Sequence, residues 1–477
     1  MSDALAKLEA RLAWERETMA YPDRVWPVKY TTTEGLPVLD VVVIGAGLAG
    51  LAVSVRLKRM GIENFTVLDE NPAGFEGPWV TYARMHTLRT EKRLHGPDGG
   101  FPSATFRAWY EALNGAGAYE ELGLIPKDQW MDYLRWVRKA FDVPVRNETR
   151  VLDVLPHEMG LQLEIQTPEG KQTIVARKVV SATGLVGAGG PRMPFDMSGI
   201  DPSKWKHSSE IFDFEQLRGK RVAVLGGNAS ALDNAATALD HGAASVAQYV
   251  RRPVHPERNN LRFLEFAGMF RSFPLMDDQQ RLRVVRKNLE TSVPPPLWSI
   301  ERCEAFDNFR FHMATGWTGF EEAADGSLVI TTTKGEKHEA DFLIFGTGFE
   351  SDLAKVDYLS SLRDDILLWS DVADLEDTSI DRAIGRHPYL GPNLECRGRT
   401  PEADRVLSNL ILPNNASLVS VGPGYTGMNG CAFTSHRVVE GIVQALYLAD
   451  ADTYITQLEG FEHSEFTGQS NLTPVEA

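Results

Sequence analysis

Apolar residues in this chain come in short, β-branched runs that stop at glycine and give way to helical stripes. The first run, Leu39-Asp40-Val41-Val42-Val43-Ile44, stops at Gly45, and residues 51–60 follow with apolar positions at helical spacing. Gly61-Ile62-Glu63-Asn64 then turns into a second run, Phe65-Thr66-Val67-Leu68, so residues 40 to about 75 predict a βαβ unit. The pattern returns later: a strand over 219–225, a helix through Leu239 and a strand over 245–250. Between the two units, helices are predicted over 99–112 and 130–141, the second with a core stripe of Trp130, Tyr133, Leu134, Val137 and Phe141. Short strands follow over 150–155, 161–166 and 172–176, with Pro168-Glu169-Gly170 as a hairpin turn, and a buried strand over 178–182 ends in Thr183-Gly184. Beyond the second unit come a hairpin over 328–333 and 337–338, a strand over 341–345, a last strand and turn over 417–424 and a helix over 430–448.

The turns carry the chemistry. Gly45-Ala46-Gly47-Leu48-Ala49-Gly50 is Gly-x-Gly-x-x-Gly between strand and helix, the arrangement that lays a pyrophosphate on a helix N-terminus. Gly45 permits the turn, Gly47 lets the backbone approach the phosphates, and Gly50 lets helix and strand pack closely. Asp69, with Glu70 beside it, closes the second strand where a carboxylate would accept hydrogen bonds from an adenosine ribose. An acid there suits an unphosphorylated ribose, hence FAD or NAD. The second turn, Gly226-Gly227-Asn228-Ala229-Ser230-Ala231, is less regular. Asn228 stands where a side chain crowds the pyrophosphate, and its tolerance of left-handed backbone is expected to preserve the turn. The strand after it ends in Arg251-Arg252, whose guanidinium groups match a ribose phosphate and favour NADPH. The fold class is therefore α/β, with two Rossmann-like dinucleotide-binding units.

Composition narrows the function. The 477 residues are enough for two or three domains, and 43% hydrophobic with 24% charged residues is ordinary for a globular protein. A formal net charge of −16 argues against nucleic acid or an anionic membrane as the main partner. The three cysteines, Cys303, Cys396 and Cys431, include no closely spaced pair, and no metal-ligand spacing occurs. The N-terminus reads as an amphipathic helix rather than a signal peptide, and no run of about 18 apolar residues appears, so a cytoplasmic location is expected. That first segment is expected to pack over the protein's own surface or that of a second copy, which leaves a homo-oligomer open.

Gly74-Phe75-Glu76-Gly77-Pro78-Trp79, following the fingerprint and its acid, resembles the loop of flavin-dependent monooxygenases of the two-dinucleotide-fold type, class B. These comprise the flavin-containing, Baeyer–Villiger and N-hydroxylating monooxygenases. The resemblance implies that Gly77 and Trp79 lie at the flavin and that residues 82–98 line the substrate cavity, making His86, Thr87, Arg89, Thr90 and Lys92 candidates. It places Thr90, Val151, Thr183, Gly184, Thr347 and Gly348 at the cofactors, and Arg89 or His86 at the substrate or oxidant. The linker at 201–214 keeps His207 but has Asp201 and Ser203 where the Baeyer–Villiger fingerprint has Phe and Gly. Residues 341–349 resemble the family's Asp-x-x-x-Phe-Ala-Thr-Gly signature, with Gly346 replacing Ala, and suggest a return to the FAD unit. The expected division is a helical arm over 1–38, FAD unit over 39–215, NADPH unit over 216–340, FAD unit again over 341–460 and a polar tail over 461–477. The helix over 430–448 would point its N-terminus at the flavin's pyrimidine edge. The implied activity is NADPH- and O2-dependent oxygenation of a small molecule through a flavin hydroperoxide, with N-hydroxylation favoured over Baeyer–Villiger or sulfur oxygenation. An NADPH reductase without oxygen transfer and a non-catalytic redox sensor are the alternatives.

Overall fold

The computed structural model describes residues 3–463. The polar stretch from 464 onward, within the expected tail, lies outside the described residues.

The first β-branched run folds as the Pro37–Ile44 strand, with Val41, Val42 and Val43 wholly buried, as a strand covered on both faces requires. It pairs in parallel with Phe65–Leu68 on one side and with the long Gly170–Ser181 strand on the other. Val145–Arg146 and Leu410–Ile411 extend the parallel region, and Arg150–His157 and Gly160–Thr167 add antiparallel strands, in an eight-stranded sheet. The two predicted strands over 172–176 and 178–182 are one. The Trp130 stripe lies on the Lys127–Ala140 helix, and Trp130, Tyr133 and Phe141 are fully buried. Of the segment predicted as a helix over 99–112, the α-helix is Phe106–Asn114, which Thr105 caps by accepting from the Ala108 amide.

The second sheet is parallel throughout, in the order Phe309–Met313, Ser245–Val250, Arg221–Leu225, Phe342–Phe345, Trp205–His207. It reaches beyond 216–340 on both sides. The strand after Asp341 therefore stays in this sheet, and the chain rejoins the first sheet only at Leu410–Ile411, beside Val179 and Val180. Asp341 accepts from the Arg221 backbone amide at 2.7 Å and from its guanidinium at 2.7 Å, and this bonding holds its carboxyl below the usual range. Its visible work is to lock two neighbouring strands at their starts. Trp317–Glu322, Leu328–Thr332 and Lys337–Ala340 form a small antiparallel sheet containing the predicted hairpin.

The expected strand over 417–424 is instead helical: a 3-10 turn at Asn415–Ser417 runs into the helix Leu418–Val421. A short apolar run does not distinguish strand from buried helix. Here the Ser420 hydroxyl settles it, accepting from Trp369 Nε1 and the Leu390 amide, both at 3.0 Å, and donating to the Pro388 carbonyl.

No helix among the described residues is long and apolar enough to cross a membrane.

Candidate active site

Each fingerprint turn delivers a helix N-terminus. Leu48–Arg59 begins after Gly47, and Ala229–Asp240 begins after Asn228; neither first turn is capped by a side chain. Uncapped N-terminal amides with the positive end of the helix dipole are ready anion sites. In the first turn Gly45 sits at φ +98, and a Cβ there would come within 2.7 Å of the Ala182 carbonyl oxygen. Gly47 faces Gly77, and a Cβ on either would stand 3.7 to 3.8 Å from the other's Cα. Gly50 has no room at all, since its Cβ would lie 1.9 Å from the Gly45 oxygen. Leu48 and Ala49 are half-buried in the first helical turn.

The structure separates the two acids after Leu68. Asp69 is buried and holds the turn, accepting from the Ala46 amide at 2.8 Å and from the Asn71 backbone and side chain. Glu70 is exposed and lies 3.9 Å from Arg150 at the surface. A carboxylate offers about four acceptor positions, so Asp69 keeps capacity for a ribose hydroxyl while fixing the glycine turn.

Trp79 is buried, and its Nε1 has no hydrogen-bond partner among the described residues; a Cβ on Gly77 would lie 3.8 Å from it. A buried indole N–H left unpaired costs about 1–3 kcal/mol, so a ligand acceptor beside Gly77 satisfies a real need. With the two uncapped helices and the facing glycines, these residues fit a flavin dinucleotide. Sequence reading missed what steadies this loop. Buried Glu76 accepts from Arg138 at 2.6 Å, from Asn147 at 2.7 Å and from the Gly74 amide at 2.9 Å. Its position inside a glycine-rich loop was the available signal.

Val151 is buried in the Arg150–His157 strand at a bulge opposite Ile165. Thr183 joins a network with Ser181, Asn414 and Tyr358: Asn414 Nδ2 donates to Ser181 Oγ and Thr183 Oγ1, both at 3.1 Å, and Tyr358 is 2.7 Å from Ser181 Oγ. Gly184, at φ +66, follows with open space around its Cβ position.

In the second turn Gly226 is at φ +142, and Gly227 packs where a Cβ would meet Val250 at 2.5 Å. Asn228 has φ −101, an extended conformation open to any residue, so its left-handed tolerance plays no role. Its side chain points toward Ser292, 3.5 Å away. Ala229, Ser230 and Ala231 form the helix start, Ala231 fully buried. Arg251 and Arg252 are exposed just past the strand, and neither has a carboxylate partner among the described residues. Thr347 donates to the Arg192 carbonyl at 2.5 Å, and Gly348 is at φ +79.

Both catalytic candidates are exposed, and they differ in their partners. His86 is exposed, its backbone carbonyl accepting from the Lys127 amide at 3.1 Å. Arg89 is ion-paired to Asp233, a buried carboxylate on the second fingerprint helix that also accepts from Ser299 at 2.9 Å. Thr90 is half-buried nearby in sequence, and Lys92 is committed to the carbonyls of Tyr119, Glu120 and Leu122.

The third helix N-terminus, at Cys431–Ala449, meets the first: Cys431 Sγ lies 4.0 Å from the Leu48 carbonyl, and Arg56 donates to Ser435 at 3.0 Å. All three cysteines are buried and unpaired, and burial pushes the Cys431 thiol up to about 12. No dithiol stands ready to take electrons. Nor do three or more His, Cys, Asp or Glu side chains gather into a metal site among the described residues.

Residues 42–262 match the family described as pyridine nucleotide-disulphide oxidoreductase. Along 98% of this chain and 98% of its own length, the FAD-dependent urate hydroxylase of Xanthomonas campestris is 36% identical. A Baeyer-Villiger monooxygenase of Streptomyces coelicolor is 31% identical over 40% of this chain and 34% of its own. Among solved structures, the ornithine hydroxylase of Pseudomonas aeruginosa superposes with a TM-score of 0.68 at 16% identity, covering 86% of this chain and all of that one. The L-lysine 6-monooxygenase of Pseudomonas syringae gives 0.65 at 16% identity, over 85% of this chain and 99% of that one.

Proposed function

This chain belongs to the class B flavin-dependent monooxygenases, and we propose that it is an FAD- and NADPH-dependent hydroxylase of a small nitrogen heterocycle of the urate kind. The observation that carries this is the 36% identity to a urate hydroxylase along essentially the whole chain. N-hydroxylation of an amine, favoured by sequence motifs, would use the same two nucleotide turns and differ in substrate. The likeness to ornithine and lysine hydroxylases at 16% identity speaks for the shared fold.

FAD at the first turn, with NADPH at the second, would supply the chemistry that activates dioxygen and transfers one oxygen atom. The first turn would take the FAD pyrophosphate on the Leu48 helix, with Asp69 toward the ribose and Trp79 Nε1 donating beside Gly77. The second turn would take NADPH, with Arg251 and Arg252 toward the ribose phosphate. Arg89, held by Asp233, ties the 82–98 loop to the helix that opens at the second turn. Phe270, stacked on Phe433 at 5.1 Å and edge-on to Tyr425 at 6.1 Å, keeps water from the rim of the Cys431 helix.

The test is turnover of the FAD-loaded protein with NADPH, urate and ¹⁸O2. Urate should accelerate NADPH oxidation by roughly tenfold or more, with one labelled atom in the product per NADPH consumed. NADPH oxidation indifferent to urate, with peroxide formed in equal amount, would replace the hydroxylase by a reductase.

A further inference from the structure

Residues 260–265 cross from one nucleotide turn to the other. At the second turn, Asn228 approaches Ser292 at 3.5 Å, and the neighbouring Thr291 hydroxyl accepts from Asn260 at 2.9 Å. At the first turn, the Leu48 carbonyl lies beside Cys431, and Asn429, two residues before it, donates to Glu265 Oε2 at 2.7 Å. Glu265, half-buried at the end of the short Asn260–Leu264 helix, thus joins that segment to the loop that leads into the Cys431 helix.

We propose that Glu265 is the substrate-recognition residue of this site, its Oε1 accepting a hydrogen bond from an N–H of a nitrogen heterocycle. The assignment rests on the hydroxylase function proposed above.

Its two oxygens have different surroundings. Oε2 is fixed by Asn429, whereas Oε1 has no hydrogen-bond partner among the described residues. Gly424, at φ +80, keeps the neighbouring backbone clear, and even a Cβ there would stay 3.8 Å from Oε1. Glu91, from the loop expected to line the substrate cavity, and Arg262 are the charged groups that act on Glu265. Burial is the largest influence and raises its carboxyl above the ordinary value. A carboxylate with one oxygen anchored and the other free is a directional acceptor. Half-buried Phe433 of the Cys431 helix presents an apolar face, backed by buried Tyr425 of the glycine-rich loop and buried Phe270 of the Ala267–Ser272 helix. A site built to meet an N–H rejects an analogue lacking it far more strongly than an apolar pocket rejects a changed methyl group.

The experiment compares the FAD-loaded full chain with Glu265→Gln and Glu265→Asp, using urate and its singly N-methylated derivatives as probes. Bound FAD and far-UV circular dichroism establish that each variant is folded. In the wild-type protein, methylating the contacted nitrogen should raise KM at least about tenfold, and Glu265→Gln should raise KM for urate by a similar factor while kcat falls less. In Glu265→Gln the penalty for methylation should vanish, and Glu265→Asp should restore some of it. A merely structural glutamate would leave the methylation penalty intact in all three proteins; that result, or a KM for urate within about twofold of wild type in Glu265→Gln, overturns the assignment and leaves the hydroxylase standing. Wild-type protein indifferent to every probe removes the hydroxylase function and this assignment together.

Discussion

The two fingerprint turns meet the same steric problem from opposite sides. In the first, the third position is Gly50, because a methyl there would run into the Gly45 carbonyl oxygen, and the partner strand contributes Ala182. In the second, the turn is opened, with Gly226 at φ +142 against +98 for Gly45, and the third position carries a real methyl on Ala231. The missing side chain has moved across to Gly346, where a Cβ would lie 2.4 Å from Ala231 Cβ. Thus Gly346, a departure from the family pattern when taken alone, forms one compensated pair with Ala231. A glycine required by close approach belongs to the contact, and either side of the contact can provide it.

The comparison can be broken most severely at Gly50. Gly50→Ala should cost about 3 kcal/mol or more, because backbone rather than a flexible side chain must give way, and the protein should purify without FAD; absorbance near 450 nm per protein and the melting temperature read both effects. Next, Gly346→Ala should cost about 1–3 kcal/mol by overpacking against Ala231. Ala231→Gly should cost about 1 kcal/mol through helix propensity, and the double variant should be more stable than the sum of the two predicts. Urea unfolding of all four proteins measures that coupling, and strict additivity would dissolve the compensated pair. Arg251→Ala and Arg252→Ala should each raise KM for NADPH by roughly tenfold, about 1.4 kcal/mol, while KM for NADH stays nearly constant. Steady-state kinetics with both nucleotides decides this, and an equal loss for NADH would remove the phosphate-reading role. The smallest change is expected from Asn228→Gly, which should tighten NADPH by a few-fold, about 0.5 kcal/mol, in a binding titration; its extended backbone means the turn needs no rescue.

Local pattern carried much of this molecule. The β-branched run at Val41–Val43, the Trp130 stripe and the hairpin at Leu328–Thr332 all fold as their periodicity predicts, since burial period and neighbouring turns decide them locally. What stayed hidden depends on partners distant in sequence. Leu418–Val421 is helical because Ser420 is bonded to Trp369, Pro388 and Leu390. The strand after Asp341 stays beside Arg221–Leu225, a choice that Thr347-Gly348 does not reveal. Among the candidate site residues, Gly45 and Gly50 were legible because each answers a backbone requirement, whereas Asp69, read as a ribose acceptor, also holds the Ala46 amide of the turn. Asp233, Glu76 and Asn414 were not, because an isolated acid or amide in a sequence does not announce which loop it will hold.

The ion pair between Arg89 and Asp233 makes the 82–98 loop mechanically continuous with the helix that opens at the second turn. Any rocking of that helix, whether a nucleotide arrives or departs, must drag the loop along or pull apart a pair of charges of which one is buried. The loop and the helix are therefore bolted together as one piece, and Arg302 adds a second bolt by reaching from Asp240 of that helix to the Arg84 carbonyl of the loop.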